Sequence, residues 1–296
     1  MISPEDYLRH DVKIIHGYPM IYAFTYNWER IEQFQCKPDD VWLITFPKSG
    51  TAWVSEIMDL IRHDGDVEKQ EKIDIGRRVQ MLESAIPGIL LEGTEYLEKM
   101  SSPRFVRTHL PISLLPKNFW ESKGKVIYVA RNAKDVVVSY YNFDKMNKFN
   151  PEPGTFPEFL EKFMSGNVPY GSWYEHVTSW WEKKKDHPIL YLFYEDIKEH
   201  PKREIRKVMQ FLGKQLDEET LDRIVQRTSF ETMKNNIWVN YKSYPSTFFD
   251  HDISSFMRKG IAGDWKNYFT VAENEKFDAD YEKKMRGTTL KFRSEI

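Results

Sequence analysis

The chain has 296 residues, 41% of them hydrophobic and 15% aromatic, enough to bury a large core in one α/β domain or in two smaller ones. Lysine and arginine total 43 against 45 aspartates and glutamates, so a net charge near −2 leaves no electrostatic footprint for nucleic acid or an anionic membrane, and any basic chemistry must be local. A single cysteine, Cys36, excludes an intrachain disulfide and a cysteine-based zinc cage, and it fits a reducing compartment.

The opening MISPEDYLRHDVKIIHGYP is interrupted by charge throughout and does not read as an export signal. No apolar run approaches the roughly 18 residues of a membrane span, and no N-x-S/T acceptor occurs, so a cytosolic location is expected. VWLITF (41–46) then reads as a strand, followed by PKSGTAWVSEIMDLI with helical spacing. The weakly patterned stretch 62–102 follows, and such irregular segments are more often lids or binding loops than linkers. RFVRTHL (104–110) is a fourth strand candidate that ends in Pro111. KVIYVA (125–130) precedes RNAKDVVVSYYNF, and ILYLFY (189–194) precedes EDIKEHPKREIRKVMQFL, each repeating the order of strand, polar break and amphipathic helix. A second weakly patterned stretch covers 235–258.

Strand runs that are apolar on both faces suit the centre of a parallel sheet covered by helices. The alternation implies an α/β fold with a central parallel sheet flanked by helices, in which ligands bind beyond the carboxyl ends of the strands. No Gly/Ser tract or charge block divides the chain, so residues 1–296 are expected to form a single domain.

Pro47-Lys48-Ser49-Gly50-Thr51 lies between a strand and a helix, where free backbone N–H groups, a close-approaching glycine, hydroxyls and a cation suit an anion. An ordinary strand–helix turn with a Ser/Thr cap fits the same residues, and the Walker A order is not matched. His109 ends a buried-looking strand with Arg107 two residues earlier on the same face, which makes it a workable general base for an acceptor hydroxyl. Arg131 sits at a strand end with Ser139 about two helical turns on, and Asn132 between them can cap the helix. Phe256, Met257, Arg258, Lys259 and Gly260 form a short basic turn suited to a phosphate or simply to solvent. Trp53, Tyr194 and Phe230 can stack on a purine or belong to the core. The histidines lack ligand spacing and no carboxylate set has the look of a magnesium site, so no metal is expected.

Taken together, FPKSGTAW (46–53), RTHLP (107–111), ARNAKDVVVSYY (130–141), FYEDIKEHP (193–201), TSFETM (228–233) and FMRKGIAGDWKNYFT (256–270) resemble the cytosolic sulfotransferase family over essentially the whole chain. The N-terminal nineteen residues and VQMLE (79–83) are similar to its 1B branch, which acts on phenols and thyroid hormones. The resemblance implies sulfuryl transfer from 3′-phosphoadenosine 5′-phosphosulfate to a small phenolic or steroid-like hydroxyl, with Lys48-Ser49-Gly50-Thr51-Ala52-Trp53 holding the donor's 5′ end in a P-loop-like strand–loop–helix. It places the 3′-phosphate on Arg131, Ser139, Arg258, Lys259 and Gly260, with Phe256 and Met257 beside them. It places adenine between Trp53 and Phe230, with Tyr194, Thr228, Ser229, Glu231, Thr232 and Met233 completing that pocket. It assigns chemistry to His109 as base, Lys48 at the leaving oxygen and Arg107 nearby, and an acceptor pocket to Phe24, Met81, Arg107, Thr108, His109 and Phe143. It also implies a homodimer through Lys266, Thr270, Val271 and Glu275, from K-x-x-x-T-V-x-x-x-E.

Two positions depart from the family pattern. Ala52 stands where a second threonine is common and removes a hydroxyl from the 5′-phosphate cradle, and Arg107 replaces a lysine by a planar fork. Competing readings are a kinase-like phosphotransferase of the same architecture and a nucleotide-binding scaffold that has lost turnover. Steroids, iodothyronines and simple phenols all stay open as acceptors.

Overall fold

The computed structural model describes residues 4–66, 68, 72–86 and 92–296. Seven strands occur among them: a hairpin of β1 (Lys13–Ile15) and β2 (Tyr18–Met20), and a five-stranded sheet of β3 (Val41–Thr45), β4 (Gln80–Met81), β5 (Phe105–Thr108), β6 (Lys125–Ala130) and β7 (Ile189–Phe193). The sheet runs β4-β5-β3-β6-β7 with every neighbouring pair parallel, which is the expected α/β architecture.

Period-two alternation within apolar strands divides the core into two layers. Trp42, Ile44, Val106 and Tyr128 bury one face against Tyr140, Phe163, Trp173 and Trp180. Val41, Leu43, Ile127 and Val129 bury the other against Ile57, Leu60, Ile205 and Ile224. The helix Thr51–Arg62 joins the second layer because Val54, Ile57, Met58 and Ile61 recur at three- and four-residue spacing. At the amino end of the sheet, Arg104 grips Asp40 through two parallel hydrogen bonds of 2.7 and 2.6 Å, and both side chains are buried.

The expected strand limits differ slightly from those observed. RFVRTHL pairs only over Phe105–Thr108, because the His109 N–H is taken by Glu83 Oε1 at 2.8 Å and the Leu110 N–H by Thr108 Oγ1 at 3.0 Å. Tyr194 leaves the strand and opens the helix Tyr194–Glu199. The stretch 235–258 holds turns and one isolated bridge, Asn147 to Phe249. The stretch 62–102 carries β4 and the short helices Ile75–Arg78 and Gly93–Lys99, and residues 67, 69–71 and 87–91 within it lie outside the described set. Among the described residues no helix is long and apolar enough to cross a membrane.

Parallel register brings the chemistry together. Ile44 of β3 pairs with Thr108 of β5, and Thr45 with Val129 of β6, so the segments leaving the three strands emerge side by side at their carboxyl ends. In chain order the sheet extends from β3 towards β4 and β5 on one side and then switches to β6 and β7 on the other. A crevice opens where the order reverses.

Candidate active site

A cavity of about 340 Å³ occupies that crevice and is bordered by residues from all six expected motifs, Lys48, His109, Arg131, Tyr194, Phe230 and Arg258 among them. Its size falls within the range of small-molecule sites.

The loop after β3 is built on left-handed backbone at Lys48 (φ 68°) and Gly50 (φ 101°). Lysine rarely adopts this conformation, which is held here by the folded surroundings. Gly50 must be glycine for a further reason: a Cβ there would stand 2.9 Å from the Tyr194 ring. The turn ends in the helix Thr51–Arg62, whose first N–H groups have no partner within the helix and whose residues Thr51, Ala52 and Trp53 border the cavity.

Cations gather around this helix start. Lys48 Nζ lies 4.1 Å from the Phe143 ring centroid and 4.3 Å from that of Phe256, between two aromatic faces. Burial pushes its ammonium down to about 7; Arg131 and Arg258 add to the fall and Asp144 opposes it. The Arg131 guanidinium donates to the carbonyls of Lys48 (3.2 Å) and Ile261 (3.0 Å) and lies over the Tyr194 ring at 4.2 Å. Asp264 holds Arg258 at 2.6 Å and Lys259 at 2.5 Å. Gly260 (φ 64°) lies flat against Phe230, where a Cβ would meet ring carbon Cδ2 at 2.1 Å. Ser139 also borders the cavity, and Asn132 caps its helix by accepting the Asp135 N–H at 2.9 Å.

His109 Nδ1 lies 2.7 Å from the Thr45 carbonyl oxygen and 3.0 Å from Thr45 Oγ1. A carbonyl only accepts, so Nδ1 carries the proton and donates it, and the Nε2 lone pair is left free on the side of the cavity. Burial holds this imidazole well below the ordinary histidine range, against the opposing Thr45 hydrogen bond and with Arg107 reinforcing the fall, so the ring is neutral at pH 7. Arg107 donates to the Tyr241 hydroxyl at 2.7 Å and borders the cavity, as do the expected acceptor walls Phe24, Met81 and Phe143.

Several expected contacts fall elsewhere. Thr108 and Ser49 are fully buried and do not border the cavity; Thr108 points to the opposite face of β5 from Arg107 and His109, as strand alternation requires. In the stretch 228–233 only Thr228, Phe230 and Met233 border it. Ser229 caps its own helix by accepting the Thr232 N–H at 3.3 Å, Thr232 donates to the Gln226 carbonyl at 3.0 Å, and Glu231 is exposed.

Sequence reasoning missed Tyr140, Phe149, Tyr170, Tyr244 and Phe249, which complete an aromatic wall, and it missed Glu83. Glu83 lies in VQMLE, has no exposed surface, holds the His109 N–H through Oε1, and has no hydrogen-bond partner at Oε2.

With this geometry in view, the comparisons with known proteins are specific. The model for the sulfotransferase domain matches residues 38–289. The chain belongs to the sulfotransferase family. Sulfotransferase 1B1 of Canis lupus familiaris is 62% identical over 296 residues, covering 100% of both chains, and Sulfotransferase 1B1 of Mus musculus is 60% identical, covering 100% of this chain and 99% of that one. The family and branch expected from the motifs are therefore the ones found. Among solved structures, retinol dehydratase in complex with androsterone and the inactive cofactor PAP superposes with a TM-score of 0.84 at 28% identity, covering 93% of this sulfotransferase and 89% of that chain. A mouse sulfotransferase complexed with PAP gives 0.76 at 30% identity, covering 94% and 96%.

Glu83 gives this sulfotransferase a measurable pH signature. Burial raises its carboxyl from 4.5 to about 6, so folding takes up a proton between those values and stability from this group is lost as pH rises through the window. A shift of this size corresponds to about 2 kcal/mol. Relative to wild type, Glu83→Gln is expected to gain about that much between pH 4 and pH 7 in urea unfolding. A difference that stays constant with pH would show that the carboxyl is not held up.

Proposed function

We propose that the cavity binds 3′-phosphoadenosine 5′-phosphosulfate and a small phenolic or steroid-like alcohol, and that the chain transfers the sulfuryl group between them in the cytosol. The observation that carries this reading is the free Nε2 of a neutral His109 across the same cavity from Lys48 and the start of the helix Thr51–Arg62. The residues present fit the donor: Arg131 Nε and Trp53 Nε1 are buried polar atoms without partners, and Gly50 and Gly260 leave room that a Cβ would fill.

When bound, the donor supplies an activated sulfuryl group whose bond to a 5′-phosphate oxygen can break. The backbone donors of 51–53 and the Lys48 ammonium hold that phosphate and neutralise the charge that grows on its leaving oxygen. Ala52 contributes only its N–H there. Arg131, Ser139, Arg258, Lys259 and Gly260 hold the 3′-phosphate, and adenine lies between Trp53 and Phe230 beside Tyr194, Thr228 and Met233. His109 Nε2 accepts the acceptor's hydroxyl proton as its oxygen bonds to sulfur and the sulfur–phosphate oxygen bond breaks, and the Nδ1–H bond to the Thr45 carbonyl strengthens and stabilises the imidazolium so formed. Phe24, Met81, Phe143 and the added tyrosines and phenylalanines exclude water and favour a flat apolar acceptor. Similarity to Sulfotransferase 1B1 proteins supports the branch expected from the motifs, and simple phenols, iodothyronines and steroids are the acceptors to compare.

Assembly is part of the same proposal. Val271 is 77% exposed at the start of the helix Val271–Lys284, and Lys266 and Glu275 lie exposed nearby, which suits a small two-fold contact. Thr270 already serves its own helix, accepting the Glu273 N–H at 3.2 Å and donating to Glu273 Oε2 at 2.8 Å. Val271→Glu is expected to sediment as a monomer; an unchanged dimer would place the interface elsewhere.

For the chemistry, His109→Ala is expected to lose on the order of 10²-fold in kcat while adenosine 3′,5′-bisphosphate still raises its thermal midpoint as in wild type. Wild-type turnover in the variant would remove His109 from the reaction. No shift of the midpoint in either protein would remove the donor.

A further inference from the structure

His109 can act as described only if its main chain is held still, and β5 does not do this, because pairing ends at Thr108. The His109 carbonyl therefore lies beyond the sheet ladder. It is met by His176, from the helix Trp173–Lys183, whose Nε2 stands 3.0 Å from that oxygen. The other ring nitrogen, Nδ1, lies 2.8 Å from the Tyr128 hydroxyl of β6. His176 is 1% exposed, and Tyr128 is fully buried.

The chemistry of the two partners fixes the proton positions. The carbonyl accepts only, so His176 carries its hydrogen on Nε2, and Nδ1 must then accept the Tyr128 O–H. Burial acts in the same sense, holding the His176 imidazole well below its ordinary range and the Tyr128 hydroxyl well above the usual phenol range. The His176 ring also packs edge-on against Phe46, with centroids 5.6 Å apart, and Phe46 immediately precedes the Pro47–Gly50 loop. One buried imidazole thus ties the segment after β5 to β6 and to the residue that launches the phosphate loop from β3.

We propose that His176 is a positioning residue for sulfuryl transfer, setting the distance between the His109 base and the Lys48 loop through its bond to the His109 carbonyl, with Tyr128 fixing its tautomer. The inference rests on the reading of His109 as the base. It concerns geometry at the reacting atoms rather than binding, since a displacement of about 1 Å can cost on the order of 10²-fold in rate.

Steady-state kinetics with 4-nitrophenol and titration with adenosine 3′,5′-bisphosphate test it in His176→Leu, His176→Gln and Tyr128→Phe, with His109→Ala as reference. His176→Leu, which has no donor, is expected to lose roughly ten- to a hundredfold in kcat while the bisphosphate Kd stays within about twofold. His176→Gln, whose amide nitrogen reaches the place of Nε2, is expected to recover to within about threefold of wild type. Tyr128→Phe removes only the hydroxyl and is expected to lose about three- to tenfold in kcat, and it decides the matter if His176→Leu does not fold. Wild-type kcat in His176→Leu or Tyr128→Phe, or a glutamine variant no better than a folded leucine variant, would overturn the proposal. If His109→Ala alone is impaired, only the positioning role fails; if His109→Ala turns over normally, the base reading itself fails and takes this inference with it.

Discussion

The hydrogen bond from His109 Nδ1 to the Thr45 carbonyl crosses from the segment after β5 to the last residue of β3, and much of the site depends on it. It sets the tautomer, so the free nitrogen faces the cavity. It is available only because Ile44 is in register with Thr108, so that Thr45 and His109 leave neighbouring strands at the same height. A slip of one residue would turn His109 to the opposite face and replace it in the cavity by Thr108 or Leu110. The two apolar layers that bury β5 on both faces are what forbid such a slip, since it would exchange Val106 for Phe105 in layers of different shape.

Charge is arranged with similar economy. Lys48, Arg107, Arg131, Arg258 and Lys259 converge on one cavity in a chain whose net charge is near zero. Local acids offset part of this: Asp264 grips Arg258 and Lys259, and Asp144 faces Lys48. Lys48 lies between two aromatic faces and Arg131 donates to two carbonyls, contacts that leave much of their positive potential available to a phosphate. The same arrangement lowers the Lys48 ammonium, and an anion in the cavity would reverse that fall.

The strands were legible because they are apolar on both faces, and the functional residues at their carboxyl ends were legible from position: Lys48, His109 and Arg131 each follow a buried run. Contiguous motifs misled where side-chain direction matters. Thr108 shares a motif with Arg107 and His109 but alternates to the other face, and Ser229, Glu231 and Thr232 flank Phe230 and Met233 on a helix that turns them away. Glu83 and His176 carried no readable signal. Each is one polar residue in an unremarkable local pattern, and its role exists only once a distant main-chain group, the N–H or the carbonyl of His109, is brought to it. The aromatic wall from Tyr244 and Phe249 was hidden for a related reason, since it comes from an irregular stretch whose course is set by tertiary contacts such as the Asn147–Phe249 bridge.

The most direct measurement is the transfer of radiolabelled sulfur from 3′-phosphoadenosine 5′-phosphosulfate to 4-nitrophenol by the purified wild-type chain, with MgATP carrying labelled γ-phosphate as the parallel substrate. Labelled aryl sulfate and adenosine 3′,5′-bisphosphate in equal amounts, with no labelled aryl phosphate, are expected. Phosphate transfer from MgATP without sulfuryl transfer would contradict the account and establish the chain as a phosphotransferase on the same sheet.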